Sequence, residues 1–277
     1  MKALVLESKG APFVYKDVKD PVPSDNEAVA KIIACGSGLT IQHVRAGRIE
    51  VDYPRIIGHE ITAVIEEVGK SVTNLKVGDA VTAYFYLTCG HCKWCNNNRE
   101  TLCENFGGYV GREIDGAYAE YMKLPAENFL KIPEALDWKK NPAEIAVICD
   151  AIATPFKVIR HASIKTQDTV AIIGAGGGLG IHMIMMAKWA NSKVIAVDIA
   201  SNKFDAGPAK AIFIISVLGL AKYRESTGTG FAQPNPTNKI INEPNISKCA
   251  SGFKVKRPAY FAVGSPSLLA THPCENS

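Results

Sequence analysis

Residues 169–198 read TVAIIGAGGGLGIHMIMMAKWANSKVIAVD. Two unbroken apolar runs, 170–173 and 194–197, flank a glycine-rich turn and a segment of helical period. Strands without polar alternation suit a sheet covered on both faces, which is the condition of a parallel sheet. The order strand, glycine turn, helix, strand therefore places this part of the chain in the α/β class. In the helix, Ile181, Ile184, Met185 and Lys188 fall at helical spacing, and its methionines are expected to pack in the core.

Residues 1–150 have a different character. The runs EAVAKIIACG, HEITAVIEEVG and DAVTAYFYLTCG are rich in Val, Ile, Thr and aromatics and are punctuated by turns such as KVGD at 76–79. A compact β-rich domain with functional loops is expected. DAIATPFKVIRHA, from Asp150, reads as a helix opening a second domain over 151–215. AIFIISVLGLA could supply one more buried segment. Residues 216–277, with Pro, Asn and Gly and no sustained period, read as an irregular, disordered tail.

With 277 residues, 47% hydrophobic and 21% charged, the chain has the composition of a globular protein of two domains. Its net charge of +4 comes from 31 basic and 27 acidic residues spread along the chain, without the basic stripe of a nucleic-acid binder. The opening MKALVLESKGAPF carries one early Lys and a short apolar run, unlike a signal peptide or a membrane span. A cytoplasmic location is expected, with no membrane partner.

CGHCKWCNNNRETLC places Cys89, Cys92, Cys95 and Cys103 in one polar loop, half of the eight cysteines. The intervals of two, two and seven residues allow four thiolates to meet at one tetrahedral ion. In a reducing compartment such clusters are metal ligands more often than disulfides. A closed four-thiolate zinc site is structural: it clips together a lobe that cannot fold by burial.

Several stretches in order resemble the zinc-dependent alcohol dehydrogenases of the medium-chain dehydrogenase/reductase family. They are ACGSGLT, GHEITAVIEEVG, VGDAV, the four-cysteine loop, DGAYAEYMKLPAENFLKIP, CDAIATPFKVI and IIGAGGGLG with VIAVDI, and they cover about residues 1–200. The resemblance implies an α/β protein with a GroES-like catalytic domain joined to a Rossmann domain. It also implies one structural and one catalytic zinc, and assembly into dimers or tetramers.

By the same resemblance, Cys35 and His59 match the first two ligands of the catalytic zinc. The third falls on Asp150 when counted back from Thr154, Phe156 and Lys157, with Cys149 as the alternative. Glu60 is either a group beside the ligands or an exchangeable fourth ligand. Ser37 holds the position of the hydroxyl that takes the alcohol proton, and Thr40 stands where many members carry His. Gly38 stands where many carry Asp. Zinc at such a site acts as a Lewis acid on the alcohol, and hydride passes to a nicotinamide.

The turn after the first α/β strand carries Gly174, Gly176, Gly177, Gly178, Leu179 and Gly180. Glycines let a backbone approach a pyrophosphate, and the following helix N-terminus favours its charge. Asp198, eighteen residues after Gly180, ends the second strand, where an acidic group binds the ribose 2′-hydroxyl of NAD and repels a 2′-phosphate. Thr154 joins the implied cofactor-binding set.

The expectation is an NAD-dependent zinc dehydrogenase acting on primary or secondary alcohols and the matching aldehydes or ketones. A polyol or amino-alcohol dehydrogenase, and a zinc-stabilised scaffold that no longer catalyses, are the alternatives. Beyond about residue 200 the expected further strands are not recognisable, as in a truncated Rossmann domain, a shifted reading frame or a splice form.

Overall fold

The computed structural model describes residues 1–198 and four short strands beyond them. The chain divides into two compact units, Met1–Asp150 and Ala151–Ser277.

The first unit opens with β1 (Lys2–Leu6), β2 (Phe13–Asp17) and β3 (Glu27–Cys35), followed by helix α1 (Leu39–Arg45). Next come β4 (Arg55–Ile56), β5 (Ile61–Val68), β6 (Ala80–Ala83) and β7 (Tyr86–Leu87). It continues through β8 (Gly108–Tyr109), β9 (Tyr121–Pro125), β10 (Phe129–Lys131) and the short helix α2 (Pro142–Ala146). A five-stranded antiparallel sheet has the order β10-β6-β5-β3-β9, and a three-stranded sheet has the order β2-β1-β4.

Small and β-branched residues set the tight core of the larger sheet. Ala28, Ala30, Ile61, Ala63, Val81 and Ala83 are fully buried. β3 pairs with β5 so that Cys35 lies opposite Ile61. This pairing brings the end of one strand beside the residues that lead into the other. The KVGD segment forms the expected turn before β6: Asp79 N–H donates to the Lys76 carbonyl at 3.1 Å, and Gly78 takes φ +91°, which favours glycine.

The second unit holds α3 (Ala153–His161), β11 (Thr169–Ile173), α4 (Gly178–Trp189) and β12 (Lys193–Asp198). β13 (Phe213–Ser216), β14 (Ala221–Lys222), β15 (Ile240–Ile241) and β16 (Tyr260–Val263) follow. The order β13-β12-β11-β16 makes a four-stranded parallel sheet, with two strands, β13 and β16, drawn from the region where the sequence showed none recognisable. Val170, Ile172, Val194 and Ala196 are buried on one face, whereas Ala171, Ile195 and Val197 are half-buried and Ile173 is 40% exposed, so the cover expected on both faces is complete on one. Apart from these strands, the expected irregular tail lies outside the described residues.

Two local expectations are corrected. The helix after Asp150 starts at Ala153; Val147–Cys149 form one 3-10 turn, and Asp150 caps it with φ −129° and ψ −70°. In α4 the buried face is Gly180, Met183, Ile184 and Ala187, while Met185 is 43% exposed. The helix is apolar almost all round, so its period does not identify which stripe faces the sheet.

Candidate functional site

The four cysteines meet in a lobe built from two 3-10 turns, Cys95–Asn97 and Glu100–Leu102. Asparagine side chains tie its backbone: Asn96 Nδ2 donates to the His91 carbonyl at 3.1 Å and Asn97 Nδ2 to that of Lys93 at 2.6 Å. Asn98 takes the left-handed φ of 54°, which asparagine tolerates. The polar residues of the loop thus replace a core with local hydrogen bonds.

All four sulfurs lie within 4.8 Å of one another. Sγ of Cys92 and Cys95 are 3.6 Å apart, those of Cys103 and Cys89 3.5 Å, and those of Cys89 and Cys95 4.0 Å. A disulfide needs about 2.05 Å. A tetrahedron with metal–sulfur bonds of about 2.3 Å has edges of about 3.8 Å. The sulfur spacing therefore fits a tetrahedral ion and not a disulfide. Hydrogen bonding by the His91 main chain pulls the Cys89 thiol down to about 6, while burial pushes Cys95 up to about 12.

A second group sits where β3 ends and β5 begins. His59 Nε2 lies 3.1 Å from Asp150 Oδ2, and the His59 ring packs on Phe85 with centroids 4.7 Å apart. Cys149, beside Asp150, turns the other way and accepts a hydrogen bond from Thr82 Oγ1 at 3.3 Å. The two side chains diverge because Asp150 leaves the 3-10 turn, not because both lie on a regular helix.

Cys35 Sγ donates to the Gly36 carbonyl at 3.6 Å. Burial pushes this thiol up to about 12, and the Glu60 carboxylate adds to the rise. Glu60 is 5% exposed and lies over the Gly36 backbone, where a Cβ would come within 2.9 Å of the Glu60 Cβ. Gly58, at φ +99°, leaves the space that the Cys35 sulfur and the Tyr118 ring occupy. Sulfur, imidazole and carboxylate are a donor set suited to zinc. The set is not drawn as tight as the first: among the described residues, the four cysteines are the group of three or more donors that lie together. Ser37 is exposed, and Thr40 lies half-buried in the first turn of α1.

Two features here escaped the sequence reading. Tyr118 Oη donates to the Gly36 carbonyl at 3.3 Å across a separation of 82 residues. Tyr84, Phe85, Tyr86, Phe106 and Tyr109 form a chain of ring contacts that ends on His59. The aromatics were visible as a run, but their common focus was not.

In the second unit, Gly174 follows β11 at φ +76°, and Gly177 caps α4. Gly174 and Ala175 N–H both donate to the Val197 carbonyl, at 2.8 and 3.0 Å, which pins the turn to β12. A Cβ on Gly180 would lie 2.1 Å from the Gly174 carbonyl oxygen, so helix and turn approach as only glycine allows. One on Gly178 would meet nothing within 4 Å. Asp198, 4% exposed, accepts from the Gly176 N–H at 2.9 Å, so strand end and turn are held together. Thr154 is exposed in the first turn of α3.

Comparison with known proteins adds independent information. Residues 24–134 match the alcohol dehydrogenase GroES-like domain. An alcohol dehydrogenase of Geobacillus stearothermophilus is 39% identical over 208 residues, 74% of this chain and 60% of the relative. An NAD-dependent alcohol dehydrogenase of Saccharolobus solfataricus is 30% identical, with 95% of this chain and 78% of the relative covered. A cobalt- and zinc-bound alcohol dehydrogenase from Pyrobaculum aerophilum superposes with a TM-score of 0.68 at 29% identity, over 74% of this chain and 62% of that one. The chain spans about 60% of the length of the first curated relatives it matches.

A GroES-like antiparallel unit followed by a parallel sheet with a glycine turn is the architecture of the medium-chain dehydrogenase/reductase class. Within that class, the chain belongs to the zinc-type alcohol dehydrogenase family. Among the described residues, no helix is long and apolar enough to cross a membrane.

Proposed function

We propose that this chain carries the machinery of an NAD-dependent alcohol dehydrogenase, moving hydride between a primary or secondary alcohol and NAD. The observation that carries the reading is the 3.1 Å approach of His59 to Asp150, which unites two donors 91 residues apart in sequence. The relatives named NAD-dependent alcohol dehydrogenase support the cofactor.

In this reading Cys89, Cys92, Cys95 and Cys103 hold a structural zinc, and Cys35, His59 and Asp150 hold a second. The second ion, when bound, supplies Lewis-acid activation of the alcohol hydroxyl. Glu60, buried beside Cys35, places a negative charge next to the donor set and helps to orient it. Ser37 accepts the hydrogen bond of the substrate hydroxyl and takes its proton towards solvent, with Thr40 in the adjoining turn.

The glycine turn 174–180 and the N-terminus of α4 receive the pyrophosphate. Asp198, held in place by the Gly176 N–H, accepts from the ribose 2′-hydroxyl and disfavours a 2′-phosphate. Thr154 adds a hydroxyl to the cofactor side. Residues 1–150 thus form the zinc-binding catalytic domain and 151–215 the nucleotide-binding part.

The test is the rate of NAD and NADP reduction with a panel of primary and secondary alcohols. Oxidation with NAD preferred supports the reading. Preference for NADP would overturn the role given to Asp198, and no turnover of any alcohol would overturn the reaction.

A further inference from the structure

Beyond Ala83, where β6 ends, residues 84–87 are held from two sides. On one side the carbonyls of Phe85 and Leu87 accept from Val110 N–H at 3.0 Å and from Gly107 N–H at 2.7 Å. On the other, the carbonyls of Tyr84 and Tyr86 both accept from one atom, Nδ2 of Asn128, at 2.7 and 2.9 Å. Tyr84 N–H in turn donates to the Asn128 carbonyl at 2.8 Å.

Ala83 pairs with Phe129, the first residue of β10, so Asn128 carries the ladder one step further to Tyr84. The chain before Asn128 is curled into a 3-10 turn, Ala126–Asn128, and its side chain takes the place of the strand that would otherwise continue. Carbonyl oxygens only accept, so both hydrogens of the amide nitrogen are committed and the amide has one orientation. Asn128 is 4% exposed, and water does not replace these donors if they are lost.

The residue between the two tied carbonyls is Phe85. Its ring packs on His59 with centroids 4.7 Å apart and planes at 43°, while His59 Nε2 lies 3.1 Å from Asp150 Oδ2. We propose that Asn128 is a positioning residue for the second metal centre: by fixing the backbone on either side of Phe85, it holds that ring against His59 and sets the imidazole plane towards Asp150. The inference rests on the reading of His59 and Asp150 as zinc ligands and adds to it what orients the imidazole. Groups that orient a ligand in this way change metal affinity about 10- to 100-fold when removed.

The experiment uses three variants of the whole chain. Asn128→Asp keeps the shape but sets a carboxylate oxygen against the two carbonyls, Asn128→Ala removes the amide, and Phe85→Leu removes the ring and keeps apolar bulk. The His59 ring protons are followed by NMR, assigned with His59→Gln, because the Phe85 ring current displaces them whether or not the protein turns over. Zinc affinity of the two sites is read by competition with a chelator. Both Asn128 variants should move the His59 signals towards their positions in Phe85→Leu. They should also weaken the second site about tenfold and leave the four-cysteine site unchanged. In the Phe85→Leu background, Asn128→Ala should change the second-site affinity no further.

An Asn128 that only supports the fold would lower the melting temperature and do neither. Unmoved His59 signals, moved signals with an unchanged second-site affinity, or additive effects in the cycle would each overturn the proposal. If neither Asn128 variant folds, Phe85→Leu decides, and unchanged His59 signals or affinity there would overturn it. A wild-type chain that binds one zinc only would instead overturn the second metal centre itself, and with it any positioning role for Asn128.

Discussion

His59 Nε2 and Asp150 Oδ2 approach to 3.1 Å, and the neighbouring Cys149 does not share the contact but pairs with Thr82 at 3.3 Å. A choice between two adjacent candidate ligands thus becomes a difference in direction. Asp150→Asn keeps the shape but weakens the carboxylate as a donor, and it should lower zinc from two per chain to one and reduce turnover by more than about 100-fold. Cys149→Ser should keep both ions and cost roughly 1 kcal/mol or less. Metal analysis and turnover on the two variants check this, and loss of zinc from the Cys149 variant would reverse the assignment.

The four-cysteine lobe has few apolar residues of its own and depends on its clip. Cys95→Ser should destabilise the protein by about 3 kcal/mol or more, lowering the melting temperature by roughly 10 °C. A strong chelator should produce a similar shift in the wild type and a much smaller one in the variant. Calorimetry with and without chelator reads both.

Within the glycine turn, two neighbouring positions should respond in opposite ways. Gly180→Ala drives a Cβ to 2.1 Å from the Gly174 oxygen, so the turn must move, and NAD binding should fall by more than tenfold with a loss of about 2 kcal/mol or more. Gly178→Ala meets open space in the first helical turn and should leave stability unchanged or raise it by a few tenths of a kcal/mol. Thermal melts and NAD titration of the pair separate the two.

Glu27 provides a pH-dependent tie across β3 and β9. It accepts from Ser24 N–H at 2.8 Å and pairs with Lys123 Nζ at 2.9 Å. Burial raises its pKa, but the hydrogen bonds from Lys123 and Ser24 outweigh burial and leave it below its ordinary value of 4.5. A group depressed in the folded state contributes stability that is full above its unfolded pKa and is lost as pH falls through the folded one. The melting temperature should therefore drop as pH falls below about 4.5, and Glu27→Gln should flatten part of that drop. An unchanged slope in the variant would show that Glu27 does not contribute.

What could be read from the sequence followed from local chemistry. The spacing of Cys89, Cys92, Cys95 and Cys103 is a statement about one loop, and the sulfurs duly lie at metal-like separations. The apolar runs of β11 and β12 announce a parallel sheet because nothing polar alternates in them. The face of α4 was not legible, since Met183 and Met185 are the same residue type and only the sheet selects between them. Tyr118 was missed for a related reason: its partner, the Gly36 carbonyl, is a backbone group brought close by strand pairing. The direction of Asp150 depends on a 3-10 turn ending one residue before it, a detail finer than helical periodicity can resolve.

The most direct test of the account is calorimetric titration of the purified chain with NAD, with zinc determined on the same sample. The account predicts saturable binding and two zinc ions per chain, one lost in Cys95→Ser and the other in Asp150→Asn. A chain that holds one zinc and does not bind NAD would contradict it, leaving a zinc-clipped member of the family that is not a dehydrogenase.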